Sequence, residues 1–124
     1  DYDIADTTVS VKTCGMNPRH FASRKTHHPI VENLQPHDFR LWYDADKNII
    51  TPFLFASFQA RDWNAILTSG DGKFKHNTGN WNKTLAVAEK KWGNGMVRIC
   101  QLQLHNRVTV NPIAKTFAYR LLTY

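Results

Sequence analysis

This chain lacks most of the devices by which a sequence announces a chemistry. It has two cysteines, Cys14 and Cys100, in 124 residues, too few for a disulfide framework and in neither a Cys-x-x-Cys nor a zinc-ligand spacing. No run of about 18 apolar residues is present to cross a bilayer. No basic start followed by an apolar stretch reads as a signal peptide. The first residue is Asp1 rather than Met, so the chain is expected to be a processed or excised product of a longer polypeptide.

Catalytic constellations are missing in the same way. Glycoside cleavage needs two carboxylates facing each other across the scissile bond. The only glutamates are Glu32, in an expected loop, and Glu89, near the end of an expected strand. Gly-x-Ser-x-Gly is absent, Ser69-Gly70 being half of it, and no glycine-rich phosphate loop precedes a helix. Ser69, Asp71 and His76 supply the residue types of a triad, but crowding in one loop works against the geometry a triad requires. The six histidines include the neighbours His27 and His28. Adjacent side chains on an extended chain point to opposite sides, so this pair does not make a metal site. No metal, no cofactor and no catalytic residue is expected.

What is present is a globular composition: 42% hydrophobic residues are enough for a core in one domain spanning residues 1–124, or for the C-terminal part of one. The sixteen Lys and Arg against ten Asp and Glu give a formal charge of +6. These cations are spread along the chain and interrupted by acids, so charge alone argues weakly for nucleic acid. Only Arg19 to His28 and Lys73 to His76 approach a cluster. Cys100 reads as a buried, inert thiol within an apolar strand.

The most legible stretch is Leu85 to Tyr124. Leu85–Trp92 and Met96–Leu104 are apolar runs joined by Gly93-Asn94-Gly95, a hairpin signal because Gly and Asn accept the positive φ of tight turns. Asn111-Pro112 then predicts a helix start, with Asn as cap and Pro at the first helical position. Ile113, Ala114, Phe117, Ala118, Leu121 and Leu122 form one apolar stripe, with Lys115 and Arg120 outside it. Earlier, Thr7–Lys12 reads as a strand ending near Gly15. Ile30, Val31 and Leu34 after His28-Pro29 read as a turn or short helical anchor. Trp42 and Tyr43 are assigned to the core, ahead of a polar turn at Asp44–Asn48. Ile49–Phe58 favours a strand over a helix, and Ala65–Ser69 reads as a strand that Gly70-Asp71-Gly72 ends. Strands followed by a covering helix lead to an expected α/β layer.

The connection from Gly70 to Asn82 carries Phe74 and Trp81 among Gly, Asn and Lys. If a surface touches sugar, Trp81 and Phe74 would stack on it while Asn80, Asn82 or Lys83 donate hydrogen bonds. A Trp81 folded back over a core edge is the plainer alternative.

Several phrases resemble a segment of large bacterial sugar hydrolases of the β-galactosidase type, glycoside hydrolase family 2 and relatives. They are Gly15 to Arg24, His28 to Leu34, Asp38 to Asp44, Ile66 to Gly70, Leu85 to Lys91, Arg98 to Leu102 and Asn111-Pro112. The resemblance implies a C-terminal accessory segment similar to the later half of a class I glutamine amidotransferase-like module. That implies a partial flavodoxin-like α/β sheet with a C-terminal hairpin and a packed terminal helix. The parallel βα units and the glycosidase barrel would lie upstream, outside this chain. The amidotransferase cysteine elbow has no counterpart, since Cys14-Gly15 is not one. The implied role is noncatalytic, in domain packing or in shaping a substrate cleft. Upstream domains of the same polypeptide are the implied partners, with carbohydrate or a second copy as further candidates, and the compartment follows the parent enzyme. A free-standing carbohydrate-binding module is the alternative, with a polyanion-binding domain built on Arg19 to His28 behind it.

Overall fold

The computed structural model describes residues 1–13, 28–34, 38, 42–51, 56–68 and 85–124. Its strands are β1 (Tyr2–Ile4), β2 (Thr7–Thr13), β3 (Trp42–Asp44), β4 (Ile49–Thr51), β5 (Ala56–Ala60), β6 (Asn64–Thr68), β7 (Leu85–Trp92) and β8 (Gly95–Cys100). A 3-10 turn covers Pro29–Val31, and α1 covers Pro112–Thr123.

The expected flavodoxin-like α/β sheet is overturned. The protein is a curled antiparallel half-barrel with a single α-helix among the described residues. Every strand pairing among the described residues is antiparallel. A flavodoxin-like layer needs parallel strands joined by crossover helices, whereas β7 of the C-terminal hairpin pairs antiparallel with β5, β6 and β8. The six-stranded sheet runs β1-β2-β5-β7-β6, with β8 also on β7, while β3 and β4 form a separate hairpin.

β7 is the hub. It pairs with β8 from Val87↔Cys100 to Trp92↔Gly95, with β6 from Leu85↔Thr68 to Glu89↔Asn64, and at Leu85 with Phe58 of β5. Its residues Leu85 through Glu89 are all buried, because side chains from both of its faces pack into hydrophobic clusters. Its partnership with β6 contains two register shifts. Ile66 is an extra residue between Ala65↔Ala88 and Leu67↔Val87, and Ala86 is an extra one between Leu67↔Val87 and Thr68↔Leu85. Each bulge turns two consecutive side chains to one side, which is how Ile66 with Leu67 and Ala86 with Val87 enter the same cluster.

Two clusters result. The first packs Ile30, Val31, Trp42, Ile66, Leu67, Ala86, Val87 and Leu102 against Ala114 and Phe117 of α1. The second holds Val9, Phe58, Trp63, Leu85 and Ala88, with Val97 and Ile99 at its margin. The alternation of Val87 with Ala88 and of Cys100 with Ile99 between clusters is the period-2 pattern of a strand buried on both faces.

Local chemistry explains the connections. Gly93 adopts φ 58 at the first central position of the β7–β8 loop, the arrangement of a glycine-first two-residue hairpin turn. The β1–β2 loop is Ala5-Asp6, both at positive φ (51 and 59). A turn of this kind normally selects Asn-Gly, so Ala5 is strained there. The Lys90 ammonium donates to the Ala5 carbonyl at 3.0 Å and holds the turn.

The helix begins at Pro112 as expected, with Asn111 at the cap position. The expected side-chain cap is replaced, however, by a different use of the amide. Asn111 accepts from the Tyr43 N–H at 3.0 Å and donates to the carbonyls of Tyr43 at 2.7 Å and Arg107 at 2.9 Å. It thereby pairs with β3 as a strand's backbone would. Trp42 adds a 2.7 Å bond from its indole N–H to the Gln103 carbonyl. Of the expected stripe, Ala114 and Phe117 are buried and Ile113 and Leu121 packed at the margin, whereas Leu122 is 85% exposed.

Candidate functional site

Two clusters of charged side chains stand out, and both are engaged in holding the fold. Glu89, buried on β7, accepts from Arg98 Nε at 2.8 Å and pairs with His28 Nε2 at 2.7 Å. The Ile30 N–H donates to His28 Nδ1 at 3.2 Å. With Nδ1 accepting from the Ile30 N–H, Nε2 is the His28 nitrogen that faces Glu89. Burial works to raise the Glu89 pKa, but the hydrogen bonds from Arg98 and His28 outweigh it and hold the carboxyl below its ordinary value. Arg98 also donates to the carbonyls of Leu121 and Tyr124, the positive group that a helix C-terminus favours. Arg120 Nη1 reaches the carbonyls of Ile30 and Glu32, at 3.2 and 2.7 Å. Sheet, 3-10 turn and helix are joined through these four residues.

The second cluster fastens the β3–β4 hairpin to the segment before α1. Asp44 accepts from the amides of Asp46 and Lys47 at 2.9 and 3.2 Å and from Arg107 Nη2 at 3.2 Å. Desolvation opposes ionisation of Asp44, and these amides with the Arg107 charge outweigh it, so its pKa is lowered. Arg107 further donates to Thr51 Oγ1 and the His105 carbonyl. Its buried Nε has no partner among the described residues.

Glu89 is thus engaged by Arg98 and His28, and Glu32 is exposed after the 3-10 turn. His28, one end of the basic stretch beginning at Arg19, is committed to Glu89. Cys100 ends β8 rather than lying within a longer strand, and it is half-buried. Burial pushes its thiol up to about 11, against a lowering backbone contact at Leu102. Among the described residues no group of three His, Cys, Asp or Glu could hold a metal ion, and no helix is long and apolar enough to cross a membrane. Trp81, Phe74, Asn80, Asn82 and Lys83 lie outside the described residues, as do Cys14, Ser69, Asp71 and His76.

A concave feature among the described residues lies elsewhere. A cleft of about 880 Å³ opens beside the second cluster, where the chain turns from β5 into β6. β2 contributes Thr7, Thr8 and Ser10; β5 contributes Gln59 and Ala60; the turn contributes Arg61, Asp62 and Trp63; Ala65 and Leu85 complete the lining. Register sets Ser10 directly opposite Gln59. Asp62 takes φ 62, a conformation Asp tolerates better than most residues. Trp63 is 8% exposed, and its indole N–H donates to Thr7 Oγ1 at 2.7 Å. Thr7 in turn donates to the Ile4 carbonyl at 2.9 Å.

Sequence reasoning missed this cleft by following the tryptophan in the longer loop. The available signal was Gln59-Ala60-Arg61-Asp62-Trp63, a polar break with an indole between two apolar runs. No family model matches the chain, and no curated protein or solved structure matches it.

Proposed function

We propose that the chain is a noncatalytic accessory module of a β-galactosidase-like glycoside hydrolase, acting by packing on neighbouring domains and shaping the substrate cleft of the parent. The observation carrying this reading is apolar surface left over after both cores are filled. Tyr119, Leu122 and Tyr124 of the terminal helix region are exposed, as are Trp92 and Met96 beside the β7–β8 turn. Large exposed apolar side chains grouped on one element favour contact with another protein surface. The described carboxylates Glu89 and Asp44 are tied into structural contacts, which suits a role without catalysis. The resemblance of phrases between Gly15 and Pro112 to that family is what points to such a parent.

The test is to express the polypeptide that encodes this chain with and without residues 1–124 and to assay hydrolysis of a chromogenic β-galactoside. The whole protein should hydrolyse it, the deletion should lose thermal stability or oligomeric order, and the isolated chain should be inert. Tyr119→Asp with Leu122→Lys should reproduce the deletion's effect. A parent without a glycosidase domain, or hydrolysis by the isolated chain, sinks the proposal.

A further inference from the structure

We infer that the outer edge of β8, with the flank of α1 beside it, is a self-association surface whose partner is a second copy of this chain. The inference takes the exposed helix flank already described and commits it to one occupant. It needs no glycosidase parent, because both copies are this chain.

A strand edge recruits another strand only where its backbone is left open. The Gln101 N–H donates to the Ala86 carbonyl at 2.9 Å. The alternation of an antiparallel ladder then turns the amides and carbonyls of Val97 and Ile99 toward β7, and those of Met96, Arg98 and Cys100 away from it. Among the described residues β8 pairs with no strand but β7, so the outward groups form an unfilled row.

The other edges of this sheet carry features that discourage pairing. β1 has three residues, one of them Asp3. β6 is interrupted by two register shifts against β7, and bulges bend an edge out of line. β8 instead runs six residues in unbroken register and contains no Pro, Lys or acid. Its one charge is turned inward. Arg98 Nε bonds Glu89, and its two Nη atoms bond the Leu121 and Tyr124 carbonyls. The charge that would guard this edge is spent on the fold.

The flanking helix selects the partner. The 3-10 turn packs on both β6 and α1, and Arg120 points to it. Leu122 lies about 200° further round the helix, on the opposite flank, toward β8, with Tyr119 one turn before it. Both are exposed, as is Met96 on β8. A foreign peptide laid along β8 would fill the edge and leave this flank exposed. A two-fold axis brings edge to edge and flank to flank at once, the self-complementarity of an isologous contact. With the axis beside Val97, Met96 of each copy stands opposite Arg98 of the other, so the two arginines do not face each other.

The experiment is sedimentation velocity of the purified chain over a concentration series, with amide hydrogen exchange at both ends of it. The chain should pass from monomer to dimer with micromolar Kd, as suits a small interface. The Met96 and Arg98 amides should slow on dimerisation, whereas those of Val97 and Ile99 are protected in the monomer already. Added salt should tighten the dimer, because each copy carries +6 and screening relieves their repulsion; an acidic partner would be released by salt instead. Met96→Lys, which restores a guarding charge, and Leu122→Lys should each weaken dimerisation about tenfold or more, with Tm unchanged at low concentration. Gln59→Lys, on β5, should leave it as it was. Should Met96→Lys fail to fold, exchange on the unaltered chain still decides. The inference is overturned if the chain stays monomeric throughout, if a dimer forms whose Met96 and Arg98 amides exchange as in the monomer, or if folded Met96→Lys and Leu122→Lys both dimerise like the unaltered chain. A monomeric chain leaves the glycosidase assay untouched, and a parent without a glycosidase domain leaves the dimer standing.

Discussion

Under the terminal helix, charge is consumed by architecture; in the cleft beside β2, it is left open. Glu89, Arg98, His28 and Arg120 all close on partners within the protein. Ser10, Gln59, Arg61 and Asp62 close on none among the described residues. The two regions share one sheet, and β7 supplies residues to both clusters. Charged side chains on the helix side are thus part of the fold's internal contacts. Strand content alone would not have separated them.

The contrast can be tested by substitution. Phe117→Ala should have the largest effect, about 4 kcal/mol, because the ring is wholly buried between helix and sheet and its loss leaves a cavity; chemical denaturation reads this directly. A mild effect of about 1 kcal/mol would mean that the helix is not part of the cooperative unit.

Glu89→Ala should cost about 2 kcal/mol, since it strands Arg98 and His28. The loss falls short of a fully buried pair because those two partners keep 21% and 18% side-chain exposure. The same carboxyl makes stability depend on pH. Its folded pKa is depressed, so the unfolded chain binds the proton more readily. The contribution is complete above the unfolded value, about 4.3 for Glu, and drains away as pH falls through the lower folded value. Asp44, also depressed, acts in the same direction. Denaturation midpoints measured between pH 3 and pH 6 should fall on the acid side, with a shallower slope in Glu89→Ala.

Ala5→Gly should act in the opposite sense, stabilising by about 1 kcal/mol, because glycine accepts the positive φ that alanine resists. A destabilisation would show that unfolded-chain entropy outweighs the strain. Smallest of all, Ser10→Ala and Gln59→Ala should change stability by under about 0.5 kcal/mol. A drop comparable to that of Glu89→Ala would erase the distinction between a structural side and an open one.

Much of the local structure was legible. The Gly-Asn signal located the β7–β8 turn, and Asn111-Pro112 located the start of α1, because both depend on backbone preferences of single residues. Ile30, Val31 and Trp42 were rightly assigned to the core. Topology was not legible. A continuous apolar run such as Leu85–Ala88 fits any strand covered on both faces, parallel or antiparallel, and only pairing decides between them. The bulges at Ile66 and Ala86 leave no trace in composition, and Ala5-Asp6 lacks the Asn-Gly signature of its turn. Asn111 was placed correctly but its amide was spent on Tyr43, a partner 68 residues away. The cleft was missed for the same reason: Ser10 and Gln59 meet through register, and residue type does not encode it.

The position of α1 in the chain also has a consequence for biosynthesis. Phe117 and Ala114 close over Ile66, Leu67, Ala86 and Val87, so the sheet surface they cover is finished well before its cover is made. Translation proceeds at about 5–20 residues per second, and a nascent sheet would present that surface for seconds while the helix was still inside the ribosomal exit tunnel. Over that interval the half-barrel carries an apolar face that only the arrival of the helix covers.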